Sequence, residues 1–312
     1  MITTLQAVVL GLIQGLTELF PISSLGHSVI LPRLFGWSLD QNAPSFVSFL
    51  IATHLATAVV LFLFFLRDWV EIFKGLGRSI RDRAVSPTDT YAKLAWLLIV
   101  GTIPAGILGL VLEKPIRSLF ASPLLAAGFL IVNGLILFVA ERLRSRQGTP
   151  LLSSTAAAKH TPAGATATAI AEPETRTATS DAGIARLSWK QALGIGAAQA
   201  GALVPGISRS GSSMVGGLLS GLDNELAARF SFLLATPIIG AAAVLKLPEL
   251  FSPAMADDRG VFLVGALCSG AAAWFATTFL LRFFETRTLR PFAIYCLAGG
   301  CVYFVLLLMT GQ

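Results

Sequence analysis

The sequence predicts an all-α integral membrane protein assembled from two related halves, and three observations predict it. Of its 312 residues, 54% are hydrophobic and only 13% are charged, with a mean hydropathy of +0.75, whereas a soluble domain is about a quarter charged. Six stretches, near 46–66, 94–112, 122–140, 230–247, 261–281 and 291–309, are apolar over the ~20 residues that cross ~30 Å of hydrocarbon. Two further apolar regions are each interrupted by proline and hydroxyl residues.

The first interrupted region runs over 4–36 and breaks at Phe20-Pro21-Ile22-Ser23-Ser24. The second runs over 191–222 and breaks at Val204-Pro205-Gly206-Ile207-Ser208. The half-segments on either side are too short to span. Proline removes a backbone donor, so each region is expected to be two half-helices joined mid-segment, a re-entrant hairpin. Irregular backbone at that depth is tolerated only where it is buried in protein or lines a wet cavity. The two regions are related: Gly11-Leu12-Ile13-Gln14 aligns with Gly196-Ala197-Ala198-Gln199 at a spacing of 185, which also pairs Ser23 with Ser208, Gly26 with Gly211 and Ser28 with Ser213. Downstream, Ser48–Thr53 resembles Ser231–Thr236 at a spacing of 183. Repeated blocks in one order indicate an internal duplication. The expected organisation is one membrane domain, with a first repeat at 1–146, a linker at 147–186 and a second repeat at 187–312, each repeat a broken hairpin followed by three spans.

Loop charge orients the halves. Loops 67–93 and 282–290 and the linker segment 142–190 are rich in Lys and Arg, whereas loop 248–260 carries Glu249, Asp257 and Asp258 against Arg259. The positive-inside rule assigns the basic segments to the cytoplasm and the acidic loop to the outside. The two halves then run in opposite directions, an inverted-topology repeat whose hairpins enter from opposite sides and meet near the midplane. The Ala/Thr/Ser/Pro-rich linker has no apolar periodicity and is expected to be a disordered cytoplasmic connector. The net charge of +6 belongs to these loops. No Lys/Arg run is interleaved with aromatics, so a nucleic-acid partner is excluded. Cys268, Cys296 and Cys301 sit in apolar segments without metal-ligand spacing and read as small core hydrophobes. The first residues lack the basic stretch of a cleavable signal, so insertion is expected to rely on the mature helices.

Most of the charge lies in loops or near span ends; the clear exceptions are Glu18, in the first hairpin, and Arg209, in the second, and a charge at membrane depth is a functional hypothesis with its partner named. A structural ion pair tying the hairpins together is the competing reading. Gln14 and Glu18 share one helix face. At the first tip, Ser23 or Ser24 can cap the second half-helix, whose N-terminal N–H groups favour anions, and His27 follows within the first turn or so. The second tip, Pro205 to Ser213, combines Gly206, Ser208, Ser210 and Ser213 with Arg209, whose fork matches phosphate oxygens. These residues describe an anion site at membrane depth. His54, mid-span opposite Pro237 in the repeat, is assigned equally to packing, to a polar contact between the halves or to catalysis.

The run from Gln14 through Glu18, Pro21, Ser23, Ser24 and Gly26 to His27 resembles the first signature of the bacterial undecaprenyl-diphosphate phosphatase family, also called the bacitracin-resistance family. Pro205-Gly206-Ile207-Ser208-Arg209-Ser210 resembles its second signature, with Ser213 where the family has Thr, and Arg229–Pro237 is also similar. The resemblance covers nearly the whole chain except 147–182. It implies interdigitated inverted repeats and a multi-pass location in the bacterial inner membrane, with the site towards the outer, periplasmic face. The activity implied is removal of the terminal phosphate from undecaprenyl diphosphate, aided by Mg²⁺ or Ca²⁺, so that the lipid carrier returns to cell-wall synthesis. It further implies a catalytic set of Glu18, His27, Ser24 and Arg209, with Ser23, Gly26, Gly206, Ser208, Ser210, Ser213 and Gln14 around the substrate. Gln14 is the variant without a carboxylate, which leaves Glu18 as the metal contact or general base. The nucleophile is either Ser24 activated by His27 or a water activated by Glu18 or His27. The expected partners are the lipid diphosphate and the bilayer, and a homodimer is compatible. A polyprenyl-phosphate transporter using the same cradle is the alternative, since broken helices in inverted repeats are also a transporter architecture; Ser24 and His27 beside Glu18 distinguish the two, because a carrier needs no nucleophile.

Overall fold

The computed structural model describes residues 2–117, 122–146 and 173–309. Its helices are α1 (Thr4–Leu19), α2 (Ser24–Leu34), α3 (Pro44–Phe64), α4 (Leu66–Asp82), α5 (Thr90–Arg117), α6 (Pro123–Arg146), α7 (Pro173–Ile184), α8 (Trp189–Ala200), α9 (Arg209–Leu219), α10 (Asn224–Leu250), α11 (Arg259–Thr286) and α12 (Arg290–Met309). Among the described residues, the six long apolar helices α3, α5, α6, α10, α11 and α12 can cross a membrane; they are the six expected spans, each extended at one or both ends. The protein is an all-α, multi-pass membrane protein.

The two breaks fall at the expected positions. α1 ends at Leu19 before Pro21, and α2 begins at Ser24 with Ser23 Oγ accepting from the Gly26 N–H at 3.3 Å. α8 runs into a short 3₁₀ turn at Gly201–Leu203, and α9 begins at Arg209 with Ser208 Oγ accepting from the Gly211 N–H at 3.1 Å. Both entry half-helices start with a capping box, Thr3 with Gln6 and Ser188 with Gln191. The same local chemistry is thus used twice.

The two halves of the chain pack on each other. α1 packs on α11 of the second half and α8 packs on α5 of the first, while α3 meets α10 and α6 meets α12. Close approach depends on glycine at matching places. A Cβ on Gly11 would lie 2.3 Å from the Gly265 carbonyl oxygen, and a Cβ on Gly196 would lie 2.2 Å from that of Gly101. Small residues at helix contacts are how helices associate where lipid removes the hydrophobic drive.

Two elements were not expected from sequence. The segment 67–93, read as a charged loop, holds α4, which buries Trp69 and Ile72 and packs on α5. The linker, read as disordered over 147–186, is helical from Pro173 to Ile184; its residues 147–172 lie outside the described residues. Asp181 of α7 is buried and receives the Arg229 Nε–H at 2.8 Å, and Asp68 of α4 lies 3.0 Å from Arg229 Nη2. Ile184 and Leu187 join the main hydrophobic core. A buried arginine requires carboxylate partners, and that requirement, invisible in the linker's composition, folds its end onto the body.

Candidate active site

The hairpin tips touch. A Cβ on Gly26 would meet the Gly206 Cα at 3.2 Å, and Gly206 itself has φ +98 with the Ala126 carbonyl 2.3 Å from where its Cβ would be, so only glycine fits there. Asn133 of α6 ties the tips together: its Nδ2 donates to the Pro21 carbonyl at 3.0 Å and its Oδ1 accepts from the Ser208 N–H at 3.1 Å. Beside this junction lies a cavity of about 460 Å³. Ser23, Ser24 and Leu25 face it from one half-helix start and Ile207, Ser208 and Arg209 from the other. Two helix N-termini converging on one space create an anion site.

Glu18 is the centre of the polar network and is 6% exposed. Its Oε2 accepts from the Ser24 hydroxyl at 2.6 Å and from Gln14 Nε2 at 3.1 Å. Its Oε1 accepts from both Nε and Nη2 of Arg209, each at 3.3 Å. The expected pair across the repeats is present, and each oxygen has a separate task. Arg209 Nη1 is buried without a partner among the described residues, as are the Oε1 atoms of Gln14 and Gln199. A buried guanidinium nitrogen without an acceptor, beside two helix N-termini, fits a bound anion.

His54 belongs to the site, which sequence left among three readings. Its Nδ1 lies 2.7 Å from the Leu50 carbonyl, so Nδ1 carries a proton and Nε2 faces inward, 3.1 Å from Gln14 Nε2 and 3.5 Å from Glu18 Oε2. His54 lines the cavity. Gln199, the repeat partner of Gln14, also lines it while donating to the Gly101 carbonyl at 2.9 Å. Neither it nor Asn133 was singled out from sequence. The available signal was a lone polar side chain within an apolar helix.

His27 departs from expectation. Its ring is buried and turned from Ser24: Nδ1 is 2.7 Å from the Ser23 carbonyl oxygen and Nε2 is 2.8 Å from the Tyr295 hydroxyl, and it is not among the residues that line the cavity. Ser24 is therefore paired with Glu18 rather than with His27. Ser210 donates to the Phe20 carbonyl at 3.1 Å, and Ser213 bonds the Arg209 carbonyl at 2.9 Å and the Ser231 hydroxyl at 2.6 Å. These two serines support the tips from behind instead of facing the cavity.

Among the described residues no group of three His, Cys, Asp or Glu side chains could hold a metal ion by itself. The Glu18 carboxylate, which lines the cavity, fits a cation shared with a ligand's phosphates, the usual arrangement for Mg²⁺, whereas Gln14 is fully buried and does not line it. The remaining walls are apolar, including Phe46, Val47, Leu50, Ile51, Ile238 and Ile239, and Gln41, Asn42 and Lys246 also line the cavity.

The family model for the bacitracin resistance protein BacA matches residues 7–302. The chain is 45% identical to undecaprenyl-diphosphatase 2 of Frankia alni, with 96% of this chain and 97% of that one covered. It is 46% identical to the undecaprenyl-diphosphatase of Mycolicibacterium paratuberculosis, over 95% and 94% of the two chains, and 42% identical to that of Acidiphilium cryptum, over 98% of each.

Proposed function

The chain belongs to the bacitracin resistance protein BacA family, and from that premise we propose how the Glu18–Arg209 cavity carries out the family's reaction. The protein is an undecaprenyl-diphosphatase of the bacterial inner membrane: it hydrolyses undecaprenyl diphosphate to undecaprenyl phosphate and inorganic phosphate. The family's part in lipid-carrier recycling and bacitracin resistance follows.

In our reading the diphosphate lies between the two half-helix N-termini and the prenyl chain leaves along the apolar wall. Arg209 Nη1, buried and otherwise unpartnered, takes a phosphate oxygen; this is the observation that carries the assignment of the site. Glu18 Oε2 accepts the Ser24 proton across 2.6 Å. Ser24 Oγ attacks the terminal phosphorus, the bond from that phosphorus to the bridging oxygen breaks, and undecaprenyl phosphate departs. Water then attacks the phosphoserine as its bond from phosphorus to Ser24 Oγ breaks; Glu18 returns its proton to Ser24 Oγ, and both water protons leave with inorganic phosphate. Gln14 Nε2, 3.1 Å from both Glu18 Oε2 and His54 Nε2, holds Glu18 and keeps Oε2 directed at Ser24. A divalent cation, Mg²⁺ or Ca²⁺, would be held by Glu18 and the substrate's phosphates and would neutralise their charge.

Access from the outer face is supported by the residues at one end of the cavity. Gln41 and Asn42 precede α3, and Lys246 stands near the end of α10, next to the acidic loop 248–260 that loop charge assigns to the outside.

The test is phosphate release from undecaprenyl diphosphate by purified protein in detergent with Mg²⁺. Ser24→Ala is expected to lower kcat about a hundredfold or more, the scale of losing a positioned nucleophile and its proton acceptor. Near-normal turnover by Ser24→Ala would eliminate the covalent route and leave a water as nucleophile.

A further inference from the structure

We propose that His27 is a positioning residue for this reaction, holding the Ser23 peptide so that Ser24 faces Glu18, and that Tyr295 of α12 positions His27 in turn. The proposal rests on the reading of Ser24 and Glu18 as the reacting pair.

Ser23 has φ +69 and ψ 99. Among the described residues the only other non-glycine at positive φ is Arg83, at the C-cap of α4. A side-chain-bearing residue in that region is strained and persists only where its surroundings over-determine it. Here the surroundings are His27. The Ser23 carbonyl accepts from the His27 backbone N–H at 3.3 Å and from its Nδ1 at 2.7 Å. The same peptide leads directly to Ser24, whose hydroxyl reaches Glu18 at 2.6 Å.

The second repeat supplies an internal control. Ser208 caps α9 as Ser23 caps α2, and its carbonyl accepts from the Ser212 N–H at 2.8 Å. Yet Ser208 has φ −85, an ordinary extended conformation. The repeat position of His27 is occupied by Ser212, which has no ring to reach back. The imidazole is found at the tip whose backbone is strained and is absent from the tip whose backbone is not.

A carbonyl can only accept, so the bond to Ser23 places the imidazole proton on Nδ1 and leaves Nε2 as an acceptor. Tyr295 supplies the matching donor at 2.8 Å, and its own oxygen is 3.2 Å from the Tyr303 hydroxyl. The Tyr295 ring lies nearly parallel to the imidazole, 18° between planes, and Tyr303 meets it edge-on at 88°. Two tyrosines eight residues apart on α12 thus fix both the tautomer and the plane of His27. The first repeat's tip is thereby coupled to the last helix of the second. The function subsumed in this arrangement needs no contact between His27 and the phosphate.

The experiment compares His27→Asn, His27→Gln and Tyr295→Phe in the phosphate-release assay, with Ser24→Ala beside them. Asn places an N–H close to the position of Nδ1 and can keep the Ser23 bond, whereas Gln places its amide near Nε2 and cannot. His27→Asn is expected to retain kcat within about threefold, His27→Gln to lose about tenfold or more, and Tyr295→Phe to lose about three- to tenfold at unchanged KM, the scale of one hydrogen bond. Equal collapse of His27→Asn and His27→Gln, or parental kcat in Tyr295→Phe, overturns the proposal. Nitrogen-15 NMR of the histidine-labelled parent in micelles gives a reading independent of whether His27→Gln folds. The His27 signal, assigned by its loss in His27→Asn, is expected to show the proton on Nδ1, and a proton on Nε2 overturns the proposal. Full activity in Ser24→Ala would instead remove the reacting pair itself, a failure of the underlying reading that the other arms do not imitate.

Discussion

Arg209→Ala is expected to lower kcat for phosphate release about a thousandfold, the upper range for removing a preorganised charge donor from a phosphate or oxyanion. The guanidinium has two roles, and the substitution ends both. Nη1 no longer meets the substrate, and Glu18, 6% exposed, is left without the two 3.3 Å bonds to its Oε1. Breaking one partner of a buried ion pair destabilises by about 3–5 kcal/mol, so the melting temperature should fall together with activity. Two further variants separate the effects. Arg209→Lys keeps the charge but not the fork, and should recover stability more fully than turnover. Arg209→Ala combined with Glu18→Gln relieves the unpaired carboxylate and should regain stability while staying inactive. Turnover by Arg209→Ala within about threefold of the parent would show that this arginine is only the structural tie between hairpins that the sequence also allowed.

Glu18→Gln is expected to lower kcat by about two to three orders of magnitude with little change in KM, the range for loss of a general base. Gln preserves the size of the side chain, and its carbonyl oxygen can still accept from Arg209. What it lacks is a basic oxygen 2.6 Å from the Ser24 hydroxyl. The measurement is steady-state phosphate release at saturating Mg²⁺, with thermal unfolding of both proteins to confirm a common fold. A Glu18→Gln enzyme within about threefold of the parent would remove Glu18 as proton acceptor, and the base would then have to be sought at His54, whose Nε2 is 3.5 Å away. Glu18→Gln also tests the division of labour between the two carboxylate oxygens. An amide can satisfy Arg209 or Ser24 with its single acceptor oxygen but cannot satisfy both.

Much of this architecture was legible before any coordinates. The breaks at Pro21 and Pro205 follow from chain chemistry alone, because a proline without an N–H ends a helix wherever it is placed. The caps at Ser23 and Ser208 are equally local, and the repeat spacing then implies that the two tips occupy related positions. From there Glu18, Ser24 and Arg209 could be brought together on paper, and the structure unites them. α4 was legible in principle, since its buried Trp69, Ile72 and Gly75 repeat at helical spacing, but the charge in 67–93 obscured it.

His27, His54, Asn133 and Tyr295 were decided by tertiary structure. Each stands in a helix that is apolar on several sides, and lipid is as apolar as the protein interior. Hydropathy therefore does not specify which face of such a helix looks inward. In α3 the rotation that brings His54 to Glu18 is set by the packing of α3 against α10 and α11, contacts between residues far apart in the chain. The same holds for α12, where Tyr295 meets His27 across 268 positions of sequence. For α7, Asp181 had the composition of a solvated linker until Arg229 supplied a buried charge to pair with it. The sequence by itself determined the spans, the two broken hairpins and the charged pair at their tips, because those depend on prolines, caps and the cost of charge in hydrocarbon. Only the tertiary structure decided which histidine lines the cavity and which one meets the Ser23 carbonyl, because that depends on how uniformly apolar helices are rotated against one another.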